Sequence, residues 1–465
     1  MFTNLRLKNF KAWGDQLWNP GLELAPLTLL LGANSAGKTS ILQAPLLLQQ
    51  TFGSPDRTLD LNLGGQADER LTLGSFSDVV CGHDPSRTMG IGLRFVHNGA
   101  PAIDYEAEWV NRDHAVLQRL AYHSGDDEFA AERTSRGGYK LTAPGYTTPA
   151  VGTLDFRPER SVVFSPEAVD ALRRAERVPA SQQPKRGTGR PVSRPQRVAK
   201  PVPQSQRIQD IAANFHRAIS QVAYLGPLRE PPRRTYLWAD QNPGNLGDTG
   251  KNAVMALLAS KHSRRRGGAS EEAQPEWLVE RTSHWLERLG LAARLELQQQ
   301  GRSRHYEVSV HRGGDERANL VDVGFGVSQV LPMIVLAHFV PHGTTIIAEQ
   351  PEIHLHPRAQ AGLAELLVEV AKTRSVQFIV ETHSEHMFRH LQYMVADQQL
   401  APELCRLYFV DRHDSGVAKL DQLKMDTYGR VSNWPKQFFG DALGDSERQM
   451  DRMFDRMAAE KRDAK

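Results

Sequence analysis

A glycine-rich segment near the N-terminus has the residue types and spacing of a phosphate-binding loop. Residues 32–39 read GANSAGKT, which fits the pattern G-x-x-x-x-G-K-[ST], and they directly follow the apolar run 27–31. A strand that enters such a loop and continues as a helix turns backbone N–H groups toward phosphate oxygens, and Lys38 would reach the β- and γ-phosphates. We therefore predict a nucleoside triphosphate site formed by Asn34, Ser35, Ala36, Gly37, Lys38, Thr39 and Ser40.

Polar residues that follow two further apolar segments in the sequence are predicted to complete the triphosphate site. Glu349 follows the segment 344–348, where a P-loop protein places the carboxylate that holds the water shell of Mg²⁺. Thr39 and Glu349 are therefore the predicted residues for Mg²⁺. His383 stands just beyond the segment 376–380 and is predicted to bond the γ-phosphate or the attacking water, with capping of a strand end as the alternative.

A second pair of glycines precedes a strongly apolar segment. Residues 323–329 read VGFGVSQ and lead into the apolar run 330–340, which predicts a helix. Gly324 and Gly326 would then present N–H groups at a helix N-terminus, the end that attracts phosphate. The chain thus carries a second predicted phosphate-binding surface.

The elements that would position these residues alternate between strands and helices. Charged and apolar residues alternate over residues 5–8, which predicts a half-buried strand ahead of the phosphate loop. Between the segments 344–348 and 376–380, apolar residues recur with helical spacing behind Pro357, a favourable first helical residue: Leu363, Leu366, Leu367 and Val370. This order of elements predicts an α/β fold with a mainly parallel sheet.

Composition and charge limit the class of protein. With 465 residues, 40% of them apolar, the chain is long enough for one large core or several domains. The formal net charge of +3 is small, so nucleic-acid binding would need local clusters of charge. Cys81 and Cys405 are isolated, and the apolar run 330–340 is too short to span a bilayer. Without an apolar signal core at its start, the sequence predicts a cytoplasmic protein that has no membrane partner.

Three stretches differ from the rest of the chain. Residues 181–207 are rich in Lys, Arg and Pro and contain no acid. A solvated disordered insertion is the favoured interpretation, and a tether for DNA or RNA phosphates is the alternative, to which a second basic cluster at 261–266 adds weight. Near the C-terminus, one face of a predicted amphipathic helix carries four apolar residues: Met450, Met453, Phe454 and Met457. Docking of this face on its own domain is the favoured interpretation, and a partner interface is the alternative.

At these motifs the chain resembles the ABC-type ATPases of the SMC, RecF and OLD group (OLD stands for overcoming lysogenization defect). The ATP-binding heads of that group share an N-terminal strand ending in Asn-Phe-Lys/Arg, a Walker A loop, a signature loop, a Walker B strand and a histidine switch, and each occurs here in that order. Residues 349–357 (EQPEIHLHP), 381–386 (ETHSEH) and 224–229 (YLGPLR) resemble the compact AAA-type members. Relatives of this kind occur in bacterial phage-defence operons such as PARIS and Septu, in which an ATPase controls a separate toxic effector.

The resemblance implies an ATP-dependent homodimer, or a higher homo-oligomer, in which two protomers enclose two ATP molecules. The Walker A loop of one protomer would face the signature loop of the other, so Gly324 and Gly326 would reach ATP across the dimer. The usual Ser-x-Gly is replaced by Gly-Phe-Gly, and Ser328 is the candidate substitute for the missing serine. The glutamine loop of the family has no match, because residues 73–78 occupy its expected place without a glutamine.

The family has a catalytic glutamate at the position where this chain has Gln350. An amide cannot act as a general base. Either Glu352 or His383 takes over that role, or hydrolysis is slow and the ATP-bound dimer is long-lived, which is the interpretation we favour. The predicted catalytic set is thus Glu349, Gln350, Glu352 and His383. A metal cluster of the nearby histidines is the less favoured alternative.

The sequence predicts four parts: the N-terminal half of the ATPase head (1–95), an inserted α/β lobe that contains the basic stretch (96–300), the C-terminal half of the head (301–440) and an amphipathic helix (441–465). No long coiled coil is predicted, because no heptads persist between the two halves of the head. The predicted function is an ATP-binding, slowly hydrolysing dimerisation switch that controls a separate effector in bacterial anti-phage defence. The alternatives are a RecF-like DNA repair ATPase that binds duplex DNA and a non-hydrolysing ATP-dependent scaffold.

Overall fold

The computed structural model describes most of the chain, with several gaps. The described residues are 1–66, 69–96, 101–144, 146–147, 158–161, 169–170, 204–262, 276–313, 316–413, 416–434, 450 and 452–453. Three sequence predictions fall mostly outside them: the disordered or DNA-binding basic stretch 181–207, the second basic cluster 261–266 and the amphipathic helix 441–465.

Strands and helices alternate along the described chain. The strands are β1 (Phe2–Lys8), β2 (Leu17–Glu23), β3 (Leu27–Gly32), β4 (Met89–Phe95), β5 (Ile103–Asn111), β6 (Ala115–Ser124), β7 (Asp127–Arg133), β8 (Tyr139–Ala143), β9 (Tyr146–Thr147), β10 (Val222–Leu225), β11 (Tyr236–Leu237), β12 (Arg294–Gln299), β13 (His305–Gly313), β14 (Glu316–Asn319), β15 (Thr345–Glu349), β16 (Gln377–Glu381), β17 (Cys405–Arg412) and β18 (Ala418–Leu423). The helices are α1 (Lys38–Gly53), α2 (Phe76–Val79), α3 (Gln204–Ser220), α4 (Ala253–His262), α5 (Trp277–Arg288), α6 (Phe325–Phe339), α7 (Pro357–Arg374) and α8 (Glu385–Ala396).

The predicted phosphate loop leaves the end of a strand in a mainly parallel sheet. This six-stranded sheet has the order β10-β15-β16-β3-β17-β18, and every neighbouring pair is parallel except β17 and β18. The prediction of an α/β fold with a mainly parallel sheet is confirmed. Because parallel strands end at the same edge, the residues at the ends of β3, β15 and β16 meet there although they are far apart in the sequence.

The two faces of this sheet are buried against different layers. Along β3, Leu29 and Leu31 belong to a core shared with helices α4 to α8, whereas Leu30 belongs to a second core shared with α1 and α3. Ile346 and Ile347 of β15 divide between the two cores in the same way. Side chains of a strand alternate between its faces, so both faces of the sheet are covered, as is usual for parallel strands.

A second sheet is antiparallel and contributes to the second core. It has eight strands in the order β2-β1-β4-β5-β6-β7-β8-β9, and the ring of Tyr105 on β5 stacks on Phe215 of α3 with centroids 4.2 Å apart. The sequence analysis predicted an inserted α/β lobe, but it did not predict that β1, β2 and β4 join this sheet. The predicted boundaries after residues 95 and 300 fall between paired strands, β4 with β5 and β12 with β13, and the division into domains stays a prediction.

Local sequence explains where the helices next to the site begin. Helix α7 begins at Pro357, as predicted, and the side chain of His356 caps it. Helix α8 is capped by the hydroxyl of Ser384, whereas α6 begins at Phe325, ahead of the apolar run from which it was predicted. The longest described helix, α7, has 18 residues, so the described part of the chain has no long coiled-coil arm. None of the described helices is long and apolar enough to cross a membrane.

Candidate functional site

The phosphate loop begins at a position that requires glycine. Gly32 has a φ of 135°, and a Cβ there would lie 2.0 Å from the carbonyl oxygen of Val410 on β17. The close approach of β3 to β17 therefore excludes a side chain at this point. Beyond Gly32 the predicted ligand residues Asn34 and Ser35 are exposed at the tip of the loop.

The loop ends at a second glycine, which a buried tryptophan holds in place. Gly37 has a φ of 113°, and its carbonyl accepts a 3.0 Å hydrogen bond from Nε1 of Trp13. Trp13 is fully buried, and Ala36 and Ser40, on either side of the end of the loop, are buried as well. Sequence reasoning missed Trp13, because no spacing or periodicity connects it with the loop.

Lys38 is the first residue of α1 and folds back over the loop. Its Nζ donates hydrogen bonds to the carbonyls of Gly32, at 3.0 Å, and Ala33, at 2.7 Å, and only 2% of the residue is exposed. Burial lowers the pKa of Lys38, and the carboxylate of Glu381 opposes that shift. The ammonium is thus held beside the backbone that is predicted to bind phosphates.

Thr39 is bonded to a carboxylate that the sequence analysis did not assign to the site. Its Oγ1 donates to Glu381 Oε2 at 2.8 Å, and Glu381 Oε1 lies 3.6 Å from Lys38 Nζ. Glu381 is the last residue of β16, which pairs directly with β3. The available signal was its position two residues before His383 in the motif 381–386.

Glu349, the predicted metal residue, is the last residue of β15 and lies opposite Glu381 in the register of β15 and β16. Its Oε1 accepts a 2.8 Å hydrogen bond from the hydroxyl of Tyr224, and only 8% of the residue is exposed. Burial raises the pKa of Glu349, and Glu381 adds to that shift, while the Tyr224 hydroxyl and Arg229 oppose it. Two buried carboxylates thus lie side by side at the edge of the sheet.

The turn after β15 gives Gln350 and Glu352 different surroundings. Gln350 has a φ of 45°, in the left-handed region, and its N–H donates to the Glu381 carbonyl at 2.7 Å. Glu352 is buried, and its Oε1 accepts a 2.8 Å hydrogen bond from the backbone N–H of His383, while its Oε2 has no partner among the described residues. Burial raises the pKa of Glu352, whereas burial and then Lys38 lower the pKa of His383. Both effects favour the neutral form of the His383 imidazole.

Arg229, a buried arginine that follows β10 in the sequence, interacts with the carboxylates of Glu349 and Glu352. Arg229 is 7% exposed, and its Nη2 donates to the carbonyl of Glu349 at 3.4 Å, whereas its Nε and Nη1 have no partner among the described residues. Burial lowers the pKa of Arg229 to about 10, and its interactions with Tyr224, Glu349 and Glu352 oppose the shift. A buried guanidinium with unused N–H groups is suited to bind an anion or a water molecule.

Gly324 and Gly326 lie at the N-terminus of α6. Gly324 precedes the helix, Gly326 lies in its first turn, and Phe325 between them is 75% exposed. Ser328 is buried, and its hydroxyl donates to the carbonyl of Phe325 at 2.9 Å. Within one chain this hydroxyl is therefore already bonded, and its contact with ATP across a dimer stays a prediction.

The groups at this edge of the sheet fit a magnesium–triphosphate ligand. The N-terminus of α1 and the ammonium of Lys38 provide positive charge for phosphates, while Thr39 and Glu381 provide the oxygen atoms that Mg²⁺ prefers. Among the described residues, no group of three or more His, Cys, Asp or Glu could hold a metal ion. A magnesium ion here would therefore need further oxygen ligands from the nucleotide or from water.

Comparisons with known proteins agree with an ATPase core. Residues 200–387 match the family described as "AAA domain, putative AbiEii toxin, Type IV TA system", and residues 400–449 match "Protein of unknown function (DUF3696)". The first match includes Glu349 and His383 but not the phosphate loop, which the parallel sheet places beside them. The OLD nuclease of Thermus scotoductus (strain ATCC 700910 / SA-01) is 26% identical over 394 residues, which are 83% of this chain and 59% of that protein.

Two solved structures of SMC head domains have a partly similar chain path. The SmcHead bound to the C-winged helix domain of ScpA has a TM-score of 0.45 at 14% identity, over 91% of this chain and 98% of that one. The SMC head domain from Thermotoga maritima has a TM-score of 0.39 at 12% identity, over 91% and 99%. These TM-scores are too low to support an inference about this chain. The family match and the geometry of the site show a domain of the AAA ATPase type, in a chain that is similar to the OLD nuclease over 59% of that protein's length.

Proposed function

We propose that the chain is a Mg²⁺-dependent ATPase that binds ATP at the phosphate loop and hydrolyses it slowly. The observation that carries this proposal is the meeting of Lys38, Thr39 and Glu381 at the ends of β3 and β16, with Glu349 beside them. The N-terminus of α1 and Lys38 would bind phosphate oxygens, and the carboxylates would hold the cation that neutralises them. His383, whose neutral form is favoured by burial and by the charge of Lys38, would donate a hydrogen bond to the γ-phosphate or its water.

Slow hydrolysis follows from the side chains near the expected position of the attacking water. Gln350 carries an amide in place of a general base, and an amide cannot accept the proton of the water. Glu352 is the nearby carboxylate that can supply residual hydrolysis, because its Oε2 has no partner among the described residues. The ATP-bound state would therefore persist.

We further propose that two ATP-bound copies form a homodimer. Leu228 is 80% exposed and adjoins Arg229 of the site, and Phe325 is 75% exposed between Gly324 and Gly326. A second copy that covered these two side chains would remove their apolar surface from water, which would stabilise a dimer. A persistent ATP-bound dimer that opens on a trigger would act as a switch.

The switch would control a separate effector protein in bacterial anti-phage defence. Three observations support this part of the proposal. The motifs resemble those of ATPases in phage-defence operons, and the chain is similar to the OLD nuclease. The family that matches residues 200–387 is described as a putative AbiEii toxin of a type IV TA system. The alternative of a DNA repair ATPase uses the same head but engages duplex DNA. The basic stretch 181–207 and the basic cluster 261–266, which could bind DNA, lie mostly outside the described residues, so this alternative stays a prediction. The alternative of a non-hydrolysing scaffold depends on the rate of turnover.

Single-turnover hydrolysis of radiolabelled ATP, combined with mass photometry, tests the proposal. Lys38→Ala should abolish ATP binding and dimer formation, whereas Lys372→Ala, an exposed lysine of α7, is the matched control and should behave as wild type. Gln350→Glu should raise the turnover rate by about 10²-fold, the lower end of the contribution of a positioned general base. Fast wild-type turnover, or an unchanged rate in Gln350→Glu, would contradict slow hydrolysis due to Gln350.

Partner binding separates the alternatives in the same samples. Stable co-purification with an effector protein supports the defence role, whereas ATP-gated, strongly salt-dependent binding of duplex DNA supports the repair role. A scaffold predicts that Lys38→Ala dissociates the assembly while Gln350→Glu leaves activity in cells unchanged.

A further inference from the structure

Glu381 interacts with the two side chains of the phosphate loop that are predicted to contact phosphate and metal. Its Oε2 accepts the 2.8 Å hydrogen bond from Thr39 Oγ1, and its Oε1 lies 3.6 Å from Lys38 Nζ. Only 6% of Glu381 is exposed, and the register of β16 with β3 places it opposite Leu30. The contact is therefore set by the sheet and not by a mobile surface side chain.

The charges around Glu381 oppose the entry of a nucleotide without a cation. Three buried carboxylates, those of Glu349, Glu352 and Glu381, interact with the two buried cations Lys38 and Arg229. When all five groups are ionised, they carry an excess of one negative charge. A bare triphosphate adds further negative charge next to these buried carboxylates, so the interaction is repulsive. A divalent cation would reverse the sign of this interaction.

Two of these groups also carry polar atoms that lack partners. Oε2 of Glu352 and both Nε and Nη1 of Arg229 are buried without a hydrogen bond among the described residues. Both residues are less than one tenth exposed, at 6% and 7%. Buried polar atoms without partners are rare in folded proteins and indicate a site for water, an ion or a ligand. Glu352 interacts electrostatically with Lys38, and Arg229 interacts electrostatically with Glu349, so these atoms belong to the same group of charges.

The segment at the expected place of the glutamine loop uses its polar groups locally. Oδ2 of Asp78 accepts hydrogen bonds from the backbone N–H and the hydroxyl of Ser75, each at 2.7 Å, at the start of α2. No glutamine is present there to contact a metal-bound water. Glu381, in contrast, already contacts Thr39, the predicted metal residue, with a carboxylate oxygen.

We infer that Glu381 makes nucleotide binding depend on a divalent cation. Without the cation, its charge holds Thr39 and Lys38 and disfavours the bare triphosphate. With the cation, the same carboxylate accepts hydrogen bonds from the water shell of the metal and stabilises the complex. The inference rests on the proposed nucleotide binding and adds to it a residue outside the Walker A and Walker B motifs.

The test compares the dissociation constant of fluorescent ATP with excess EDTA and with Mg²⁺. Wild type should bind far more weakly in EDTA. Glu381→Gln should reduce the ratio of the two constants by about tenfold or more, through tighter binding in EDTA and weaker binding in Mg²⁺, because the amide lacks the charge. In the presence of ATP, the affinity for Mn²⁺, measured by electron paramagnetic resonance, should fall in the same variant.

Two further variants control for net charge and for folding. Glu385→Gln removes a charge from the start of α8, where the partly exposed Glu385 pairs with Arg389, and should keep the wild-type ratio. Glu381→Asp keeps the charge and should retain most of the cation dependence, which separates loss of charge from loss of fold. An unchanged ratio in Glu381→Gln would overturn the inference while leaving the proposed function intact. Absence of ATP binding by wild type in both conditions would overturn both.

Discussion

Replacing Gly32 with alanine is expected to damage both the fold and the phosphate loop. The new Cβ would lie 2.0 Å from the carbonyl oxygen of Val410, and a φ of 135° is unfavourable for any residue with a Cβ. Backbone strain of this kind costs about 1–3 kcal/mol, and inserting an atom into a packed site costs about 1–3 kcal/mol more. The free energy of unfolding should therefore fall by about 2–6 kcal/mol. Because the contact is with backbone, rotation of a side chain cannot relieve it.

The same substitution should weaken ATP binding through Lys38. The carbonyl of Gly32 accepts a hydrogen bond from Lys38 Nζ at 3.0 Å, so a shift of the backbone at residue 32 would displace the ammonium. At a temperature at which the variant is still folded, titration with fluorescent ATP should show an affinity loss of about tenfold or more, which corresponds to about 1.4 kcal/mol.

Gly53 provides the matched control at the other end of α1. A Cβ at position 53 meets nothing within 4 Å, and the residue has no positive φ. Gly53→Ala should therefore keep the melting temperature, followed by circular dichroism, and the ATP affinity close to those of wild type. The reasoning is refuted if Gly32→Ala melts with wild type and binds ATP equally well.

Two further predictions concern buried groups of the site. Trp13→Phe removes the donor to the Gly37 carbonyl, so it should lower the free energy of unfolding by about 1–3 kcal/mol and weaken ATP binding in titrations. Trp109 on β5 of the antiparallel sheet donates a buried hydrogen bond to Ser161, so Trp109→Phe should cost similar stability with no loss of ATP affinity. Equal affinity losses in the two variants would count against a local role of Trp13. Glu352→Gln should stabilise the nucleotide-free chain by about 1–3 kcal/mol at about pH 8, since it replaces a buried charge that has an unpartnered oxygen. Burial raises the pKa of Glu352, so the folded state takes up its proton before the unfolded state as the pH falls, and wild type gains stability on the way. The difference between variant and wild type in thermal melts should therefore shrink from about pH 8 to about pH 5, and a variant that is less stable at pH 8 would contradict this cost of burial.

Local sequence patterns were sufficient to predict the backbone of the site. The spacing of the loop 32–39 and the apolar run before it predicted the end of β3 and the start of α1, because glycine and lysine at these positions serve a local turn. Pro357 predicted the first residue of α7 for the same kind of reason. These features depend on conformations of a few consecutive residues, which the sequence determines directly.

Contacts between distant elements could not be predicted in this way. Glu381 reaches Thr39 because β16 pairs with β3, and no periodicity within either strand shows which strand is its neighbour. Trp13 donates to Gly37 because the turn after β1 packs against the phosphate loop. This contact again depends on the tertiary fold. The joining of β1 and β2 to the antiparallel sheet was missed for the same reason.

The strand order also favours different roles for the two carboxylates that lie opposite each other. Neighbouring strands are about 4.8 Å apart, and β16 separates β15 from β3, so the backbone of Glu349 is about two spacings from β3 whereas that of Glu381 is one. In addition, Oε1 of Glu349 is bonded to Tyr224 on β10, on the side of β15 that is remote from β3. We therefore expect Glu381 to serve the cation next to Thr39, and Glu349 to act farther along the edge of the sheet, where its backbone carbonyl also holds Arg229.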